Sequence, residues 1–200
     1  MTLFNAAKLH RVFALGSAYA SKDGTLPALC GVHVWADGTH LWVESTNRFA
    51  LVRAKTPFES EPFNTFAPNE VVKRILALSK TPKRAEKLRE LSITHTDGIT
   101  EVTGDGAMVS WADEKMDFPE LGKLIGPAFD REEAGHVQLN PEYFAALKPF
   151  GSLVINTHPS KPTLVIVKDK FDDADGVALI MPMRLPDGYK PSTADEWSAA

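Results

Sequence analysis

Three times along this 200-residue chain a helical pattern is followed by short apolar runs, at intervals of roughly 60 residues. One such unit leaves a sheet face bare, so units must pair to bury it. The period is too long, and one helix per unit too few, for a propeller or a solenoid. In the first unit, Leu9, Val12, Phe13 and Gly16 recur at helical spacing within Ala6–Tyr19. Runs at Val32–Trp35 and Leu41–Val43 flank Ala36-Asp37-Gly38, a hairpin signal, and Phe49–Ala54 adds a third strand. The second unit opens near Phe63–Phe66, and Asn69 is the expected cap of a helix over Glu70–Leu78. Strands at Leu91–Thr94, Ile99–Thr103 and Ala107–Trp111 follow, separated by Asp97-Gly98 and Asp105-Gly106 turns. Asp117-Phe118-Pro119-Glu120 closes that unit. The third opens with a strand at His136–Leu139, then a short helix capped by Asn140 with Pro141 at its first position. Strands at Leu153–Asn156 and Thr163–Val167 precede a polar hairpin loop over Lys168–Asp175 and the closing run Val177–Leu185.

The hydrophobic fraction of 44% predicts a packed core. A net charge of -4 excludes a uniformly basic nucleic-acid wrapper, but permits a basic face opposite an acidic one. Cys30, the one cysteine, forms no intrachain disulfide and is expected to be an inert thiol in a reducing compartment. No secretory leader follows Met1–Asn5 and no apolar stretch reaches about 18 residues, so a cytoplasmic protein without a membrane partner is expected. The histidines, His10, His33, His40, His95, His136 and His158, are scattered, and no glycine-rich phosphate loop precedes a helix. These features predict a protein that is not an enzyme and needs no cofactor.

The closing run places Pro182 between Met181 and Met183. Proline cannot donate to a strand ladder, so pairing should end there or lie at an edge. Methionines flanking it offer adaptable apolar surface. Residues 186–200 read as a flexible tail that Tyr189 and Trp197 would anchor, against the pocket or another subunit.

Several stretches resemble the bacterial DNA polymerase sliding clamps, the beta subunit of the replicative polymerase. Thr25–Val32, Ser45–Val52 and Asp117–Glu120 are similar to that family's middle domain. Leu139–Tyr143, Lys161-Pro162 and Met181–Leu185 are similar to the second half of its last domain. Ala50 stands where the family usually carries arginine. The resemblance implies an α+β, clamp-like fold of repeated strand-helix-strand units, antiparallel sheets outside and helices inside. It implies a clamp-like domain of two units over 1–125, a half domain over 126–185 and a tail over 186–200. It also implies a shortened clamp, cellular or phage-encoded: three units where a standard subunit has six. A ring of twelve would then take four chains, a homo-oligomer. A dimer completing a sheet across its interface is the other arrangement.

By the same resemblance, a pocket for short hydrophobic tails of DNA polymerases and clamp loaders would lie between Leu29, Thr46, Arg48, Phe49 and Leu51 on one side and Leu179, Met181 and Met183 on the other. Thr46 and Arg48 would supply polar orientation. Non-sequence-specific contact with duplex DNA would fall to Lys8 and Arg11 on the first helix and to Lys73, Arg74, Lys80, Lys83, Arg84 and Lys87, a basic cluster that continues to Arg89. The expected function is that of a DNA sliding clamp or processivity factor tethering a polymerase to duplex DNA. The alternative is a truncated clamp mimic that binds clamp partners, or a clamp subunit, without encircling DNA.

Overall fold

A computed structural model describes residues 2–82, 85, 88–130, 137–158, 161–168 and 174–183. Lys83, Arg84 and Lys87, His136, Arg184 and Leu185, and the tail with Tyr189 and Trp197, lie outside the described residues. The first unit is strand β1 (Thr2–Asn5), helix α1 (Ala6–Gly16) and strands β2 (Gly31–Ala36), β3 (His40–Thr46) and β4 (Ala50–Pro57). The second is β5 (Phe63–Pro68), α2 (Asn69–Ser79), β6 (Glu90–Thr96), β7 (Ile99–Gly104) and β8 (Ala107–Ala112). Helix α3 (Gly122–Phe129) follows, then α4 (Pro141–Leu147), β9 (Ser152–Asn156), β10 (Thr163–Lys168) and β11 (Ala174–Ile180). The class is α+β, with every strand pair antiparallel.

The first two units exchange their leading strands. β1 lies on β6 in a four-stranded sheet ordered β1-β6-β7-β8, and β5 lies on β2 in a seven-stranded sheet ordered β5-β2-β3-β4-β11-β10-β9. The third unit joins through β11, which pairs with β4 from Gly176↔Ala54 to Ile180↔Ala50. One face of both sheets is apolar and is covered by α1 and α2, whose buried Leu9, Phe13, Val72 and Ile75 meet Val32, Val34, Leu91 and Val102 in a single core. The Trp111 indole N–H donates to the Thr65 hydroxyl at 3.0 Å, tying β8 to β5.

Local chemistry sets the element ends. Asn5 caps α1, its Oδ1 accepting from the backbone N–H groups of Ala7 and Lys8. Asn140 caps α4 from Glu142, with Pro141 at the first position as expected. Asn69 does not cap α2: Pro68 holds that position, and the Asn69 amide instead donates to the Ser21 carbonyl at 2.7 Å. Arg89, read as part of the basic cluster, is a structural cation. Its guanidinium donates to the Leu78 and Lys80 carbonyls at the end of α2 and pairs with Asp105 at 2.7 Å. Asp97-Gly98 and Asp105-Gly106 take positive φ at both residues, the geometry of tight hairpin turns. In the first hairpin Asp37 accepts from the Trp42 indole, from the backbone N–H groups of Thr39 and His40 and from the Thr39 hydroxyl. Those donors hold its carboxyl well below the usual carboxylate range.

Two expectations for the third unit need correction. Over its described residues, 137–139, the segment before α4 is not a strand: it makes one bridge, Gln138 to Met183. β11 begins at Ala174, so Ala174 and Asp175 belong to it rather than to the loop. The β11 ladder ends at Ile180, before Pro182, and the Gln138–Met183 bridge lies just beyond the proline. Helix α3 lies where the sequence pattern predicts no helix, and it runs across the expected 125/126 division.

Tyr19 fastens α4 to the first unit. Its hydroxyl donates to the Tyr143 carbonyl at 2.7 Å, the two rings meet edge to face at 5.7 Å, and burial pushes the phenol above the usual tyrosine range. The Arg11 guanidinium donates to the Phe150 carbonyl beside it.

Candidate functional site

Strands place successive side chains on opposite faces. On β11, Ala178 and Ile180 enter the core beneath the helices, and Leu179 points the other way, directly opposite Leu51 of β4. There a second apolar cluster forms: Leu51, Leu164 and Leu179 from the sheet, Leu121 at the N-cap of α3, and Ile125 and Ala128 within that helix. The positions 121, 125 and 128 fall at helical spacing, so α3 lays one apolar stripe on this face.

Leu51, Leu121 and Leu179 of this cluster form the floor of a cleft of about 230 Å³. Leu29, Thr46, Arg48, Phe49, Leu51, Leu179 and Met181, all expected at one site, line it together. Met183 does not: its N–H donates to the Gln138 carbonyl at 2.7 Å, past the cleft's end. Ala50, Pro119, Leu121, Leu124 and Pro162 complete the wall, and none of these was expected there. Leu51, Leu121 and Leu179 are buried, whereas Phe49 is 61% exposed, Leu124 53% and Met181 46%. Three large apolar side chains therefore stand around a closed apolar floor. The volume suits one or two inserted side chains rather than a drug-sized ligand, which fills roughly 300–1,000 Å³.

The turn at 46–50 holds Phe49 outward. Asn47 Oδ1 accepts from the Phe49 and Ala50 N–H groups at 3.1 and 2.9 Å. The Thr46 hydroxyl donates to the Ala50 carbonyl at 2.8 Å and accepts from the Arg48 N–H. That hydroxyl is thus engaged in the turn, leaving Arg48 as the polar group at the rim. Arg48 has φ 79°, a strained value for a residue with a side chain. The Met181 N–H donates to the Phe49 carbonyl at 2.8 Å and joins the two walls.

A larger cleft of about 820 Å³, of mixed polar and apolar lining, lies between the outer face of the seven-stranded sheet and residues 113–123. His33, Glu44 and Arg53 sit side by side across β2, β3 and β4 in register. Glu44 is buried, with one oxygen 2.9 Å from His33 Nδ1 and the other 2.7 Å from Arg53. The Arg53 guanidinium lies over the Trp35 ring, and Trp35 stacks on Trp42. Among the described residues, no group of three His, Cys, Asp or Glu side chains is placed to hold a metal ion, and no helix is long and apolar enough to cross a membrane.

Of the cations expected to face nucleic acid, Lys8 and Arg11 are on α1, Lys73 and Arg74 on α2 and Lys80 just beyond it. The two helices pack together, with His10 Nδ1 3.1 Å from the Leu76 carbonyl. Lys8, Arg74 and Lys80 are exposed, and exposed Lys73 pairs with Glu70 at 2.6 Å.

No protein-family model matches the chain, and no curated protein matches it. Solved structures do. The DNA polymerase III beta subunit of Thermotoga maritima is 12% identical with a TM-score of 0.72, covering 93% of this chain and 66% of its own. A DnaN sliding clamp from Pseudomonas aeruginosa bound to griselimycin is 14% identical with a TM-score of 0.73, covering 92% of this chain and 65% of its own. The DNA polymerase III beta chain of Streptococcus pneumoniae is 14% identical with a TM-score of 0.72, covering 92% and 64%. This chain spans slightly less than two thirds of the length of each. Nearly all of it superimposes on part of a DNA polymerase III beta subunit, and its fold is theirs.

Proposed function

We propose that this chain is a shortened, clamp-like, non-catalytic protein that captures the short hydrophobic tails of clamp-binding proteins without itself encircling DNA. One observation carries the reading: seven residues from three separate stretches of sequence converge on an apolar cleft ringed by Phe49, Leu124 and Met181. Such a cleft accepts leucine and phenylalanine side chains, with Arg48 at the rim orienting the peptide's polar groups. An isolated tail would bind at roughly micromolar strength or weaker, about -8 kcal/mol or less favourable. A protein of this kind would occupy the tails of polymerases or clamp loaders, or sit beside a clamp subunit.

Met181→Asp is the informative variant, because Met181 lies after β11 and is half exposed, so the fold should tolerate it. Fluorescence anisotropy with a labelled polymerase-tail peptide is expected to show a loss of about tenfold or more. Unchanged affinity would sink the reading.

The second reading, a multi-chain clamp on duplex DNA, is favoured by the exposed cations of α1 and α2. Phosphate contacts of this kind are weak and steeply salt-dependent. Reversing charge at Lys73 and Arg74 together is expected to abolish most duplex retention at low salt while leaving peptide affinity alone. Duplex binding that survives the double reversal would mean that these helices do not face DNA.

A further inference from the structure

The third unit differs from the other two in one respect. In the first two, the leading edge of the three-stranded meander is covered by the other unit's leading strand: β5 covers β2 and β1 covers β6. Among the described residues the meander β9-β10-β11 has no such cover, and β9 ends the seven-stranded sheet. Burial records the difference. The second and fourth residues of the covered strands are closed off: Val32 0% and Val34 1% exposed on β2, Leu91 1% and Ile93 5% on β6. On β9 the corresponding residues are Leu153, part exposed, and Ile155, 43% exposed. A bare edge bearing a branched apolar side chain invites another strand.

We infer that a second copy of this chain covers β9, each copy laying its segment 137–140 on the β9 edge of the other. The pairing within the chain supplies the register. The residue that caps α1 meets the first residue of β6, Asn5↔Glu90, and Phe4 before it meets Leu91. The residue that caps α2 meets the first residue of β2, Pro68↔Gly31, and Ala67 before it meets Val32. Asn140 caps α4, so it falls opposite Ser152 of the partner subunit, Leu139 opposite Leu153 of the partner subunit and Val137 opposite Ile155 of the partner subunit. Leu139 and Leu153 already pack against the core on the helix side, so the register aligns faces that agree.

The segment is also prepared for it. The Gln138 carbonyl accepts from Met183, and successive residues of an extended chain direct their backbone groups to opposite edges. Val137 and Leu139 therefore present theirs on the edge away from Met183. Within the chain a leading strand crosses to a different unit in both cases seen, and only a second copy offers another third unit with both halves of the exchange. The result continues an interface that already joins the first two units, and it is isologous. It engages about sixteen residues from each copy, from the leading segment, α4 and β9, a smaller patch than the roughly 20–30 a side of a standard interface. Nothing in the pairing depends on the peptide cleft.

Light scattering on the full chain is expected to give twice its 21.9 kDa. With Cys30→Ser as background, Gln138→Cys and Val154→Cys introduced together should form a disulfide between copies on mild oxidation, visible as a doubled mass on a non-reducing gel. Ile155→Lys should weaken the dimer about tenfold or more with an unchanged far-UV spectrum. If that variant fails to fold, the cysteine pair decides alone. A single-chain mass throughout the micromolar range overturns the inference. So does a dimer whose cysteines join only within one chain, or that Ile155→Lys leaves intact.

Discussion

Arg53→Met is expected to cost about 3 kcal/mol of stability, the lower end of the roughly 3–5 kcal/mol seen when one partner of a buried ion pair is removed. The reason is where the charges sit. Glu44 is 2% exposed, in the middle of a sheet, and its carboxylate was taken out of water to be there. Arg53 compensates it with two nitrogens on the same oxygen, Nε and Nη2, each at 2.7 Å. Methionine keeps the apolar stem over Trp35 but leaves the carboxylate with His33 as its remaining side-chain partner. Arg53 itself is part exposed, which puts the figure at the low end. For a chain of this length the midpoint should fall by about 6–12 °C. Adding Glu44→Leu should recover most of the loss, since an apolar pair of similar volume serves a buried site as well as an ion pair does. Urea unfolding of the single and double variants measures both. A double variant as unstable as Arg53→Met would show that the arginine matters for its stacking rather than its charge.

That pair also marks where reading the sequence stops. Glu44 and Arg53 are nine positions apart on different strands, and only the hairpin register sets them opposite each other. Strand periodicity and the Asp-Gly turns are local properties, so β6, β7 and β8 are legible within a residue or two. The Asn140-Pro141 start of α4 is legible for the same reason. Helix α3 is not, because Gly122, Gly126 and Pro127 are all poor helix formers, and the helix exists through burial of Leu121, Ile125 and Ala128 rather than propensity. The cap of α2 was misplaced because Asn69 and Pro68 both suit a helix start, and a distant carbonyl, that of Ser21, claims the Asn69 amide. The cleft follows the same division. Its strand residues were named through a family resemblance, whereas the wall contributed by α3 was invisible.

The α3 wall yields the second large effect, and it separates holding the fold from holding a ligand. Leu121 is 2% exposed, against Leu51, Leu164 and Leu179. Leu121→Ala should cost about 2–4 kcal/mol, from lost transfer energy and from the cavity left between helix and sheet. Leu124, one turn further along the same helix, is 53% exposed at the rim. Leu124→Ala should change stability by no more than about 0.5 kcal/mol. Under the proposed function their effects on peptide affinity differ in kind. Leu124→Ala removes a contact that a bound tail would touch, so weaker binding should appear with an unshifted midpoint. Leu121→Ala loosens the floor, so its affinity loss should come with a lowered midpoint and lessen as temperature falls and the helix reseats. Thermal melts paired with anisotropy titrations at two temperatures distinguish the cases. Equal destabilisation by both substitutions would mean that α3 is held along its whole length, and that the rim is part of the core rather than a surface waiting for a peptide.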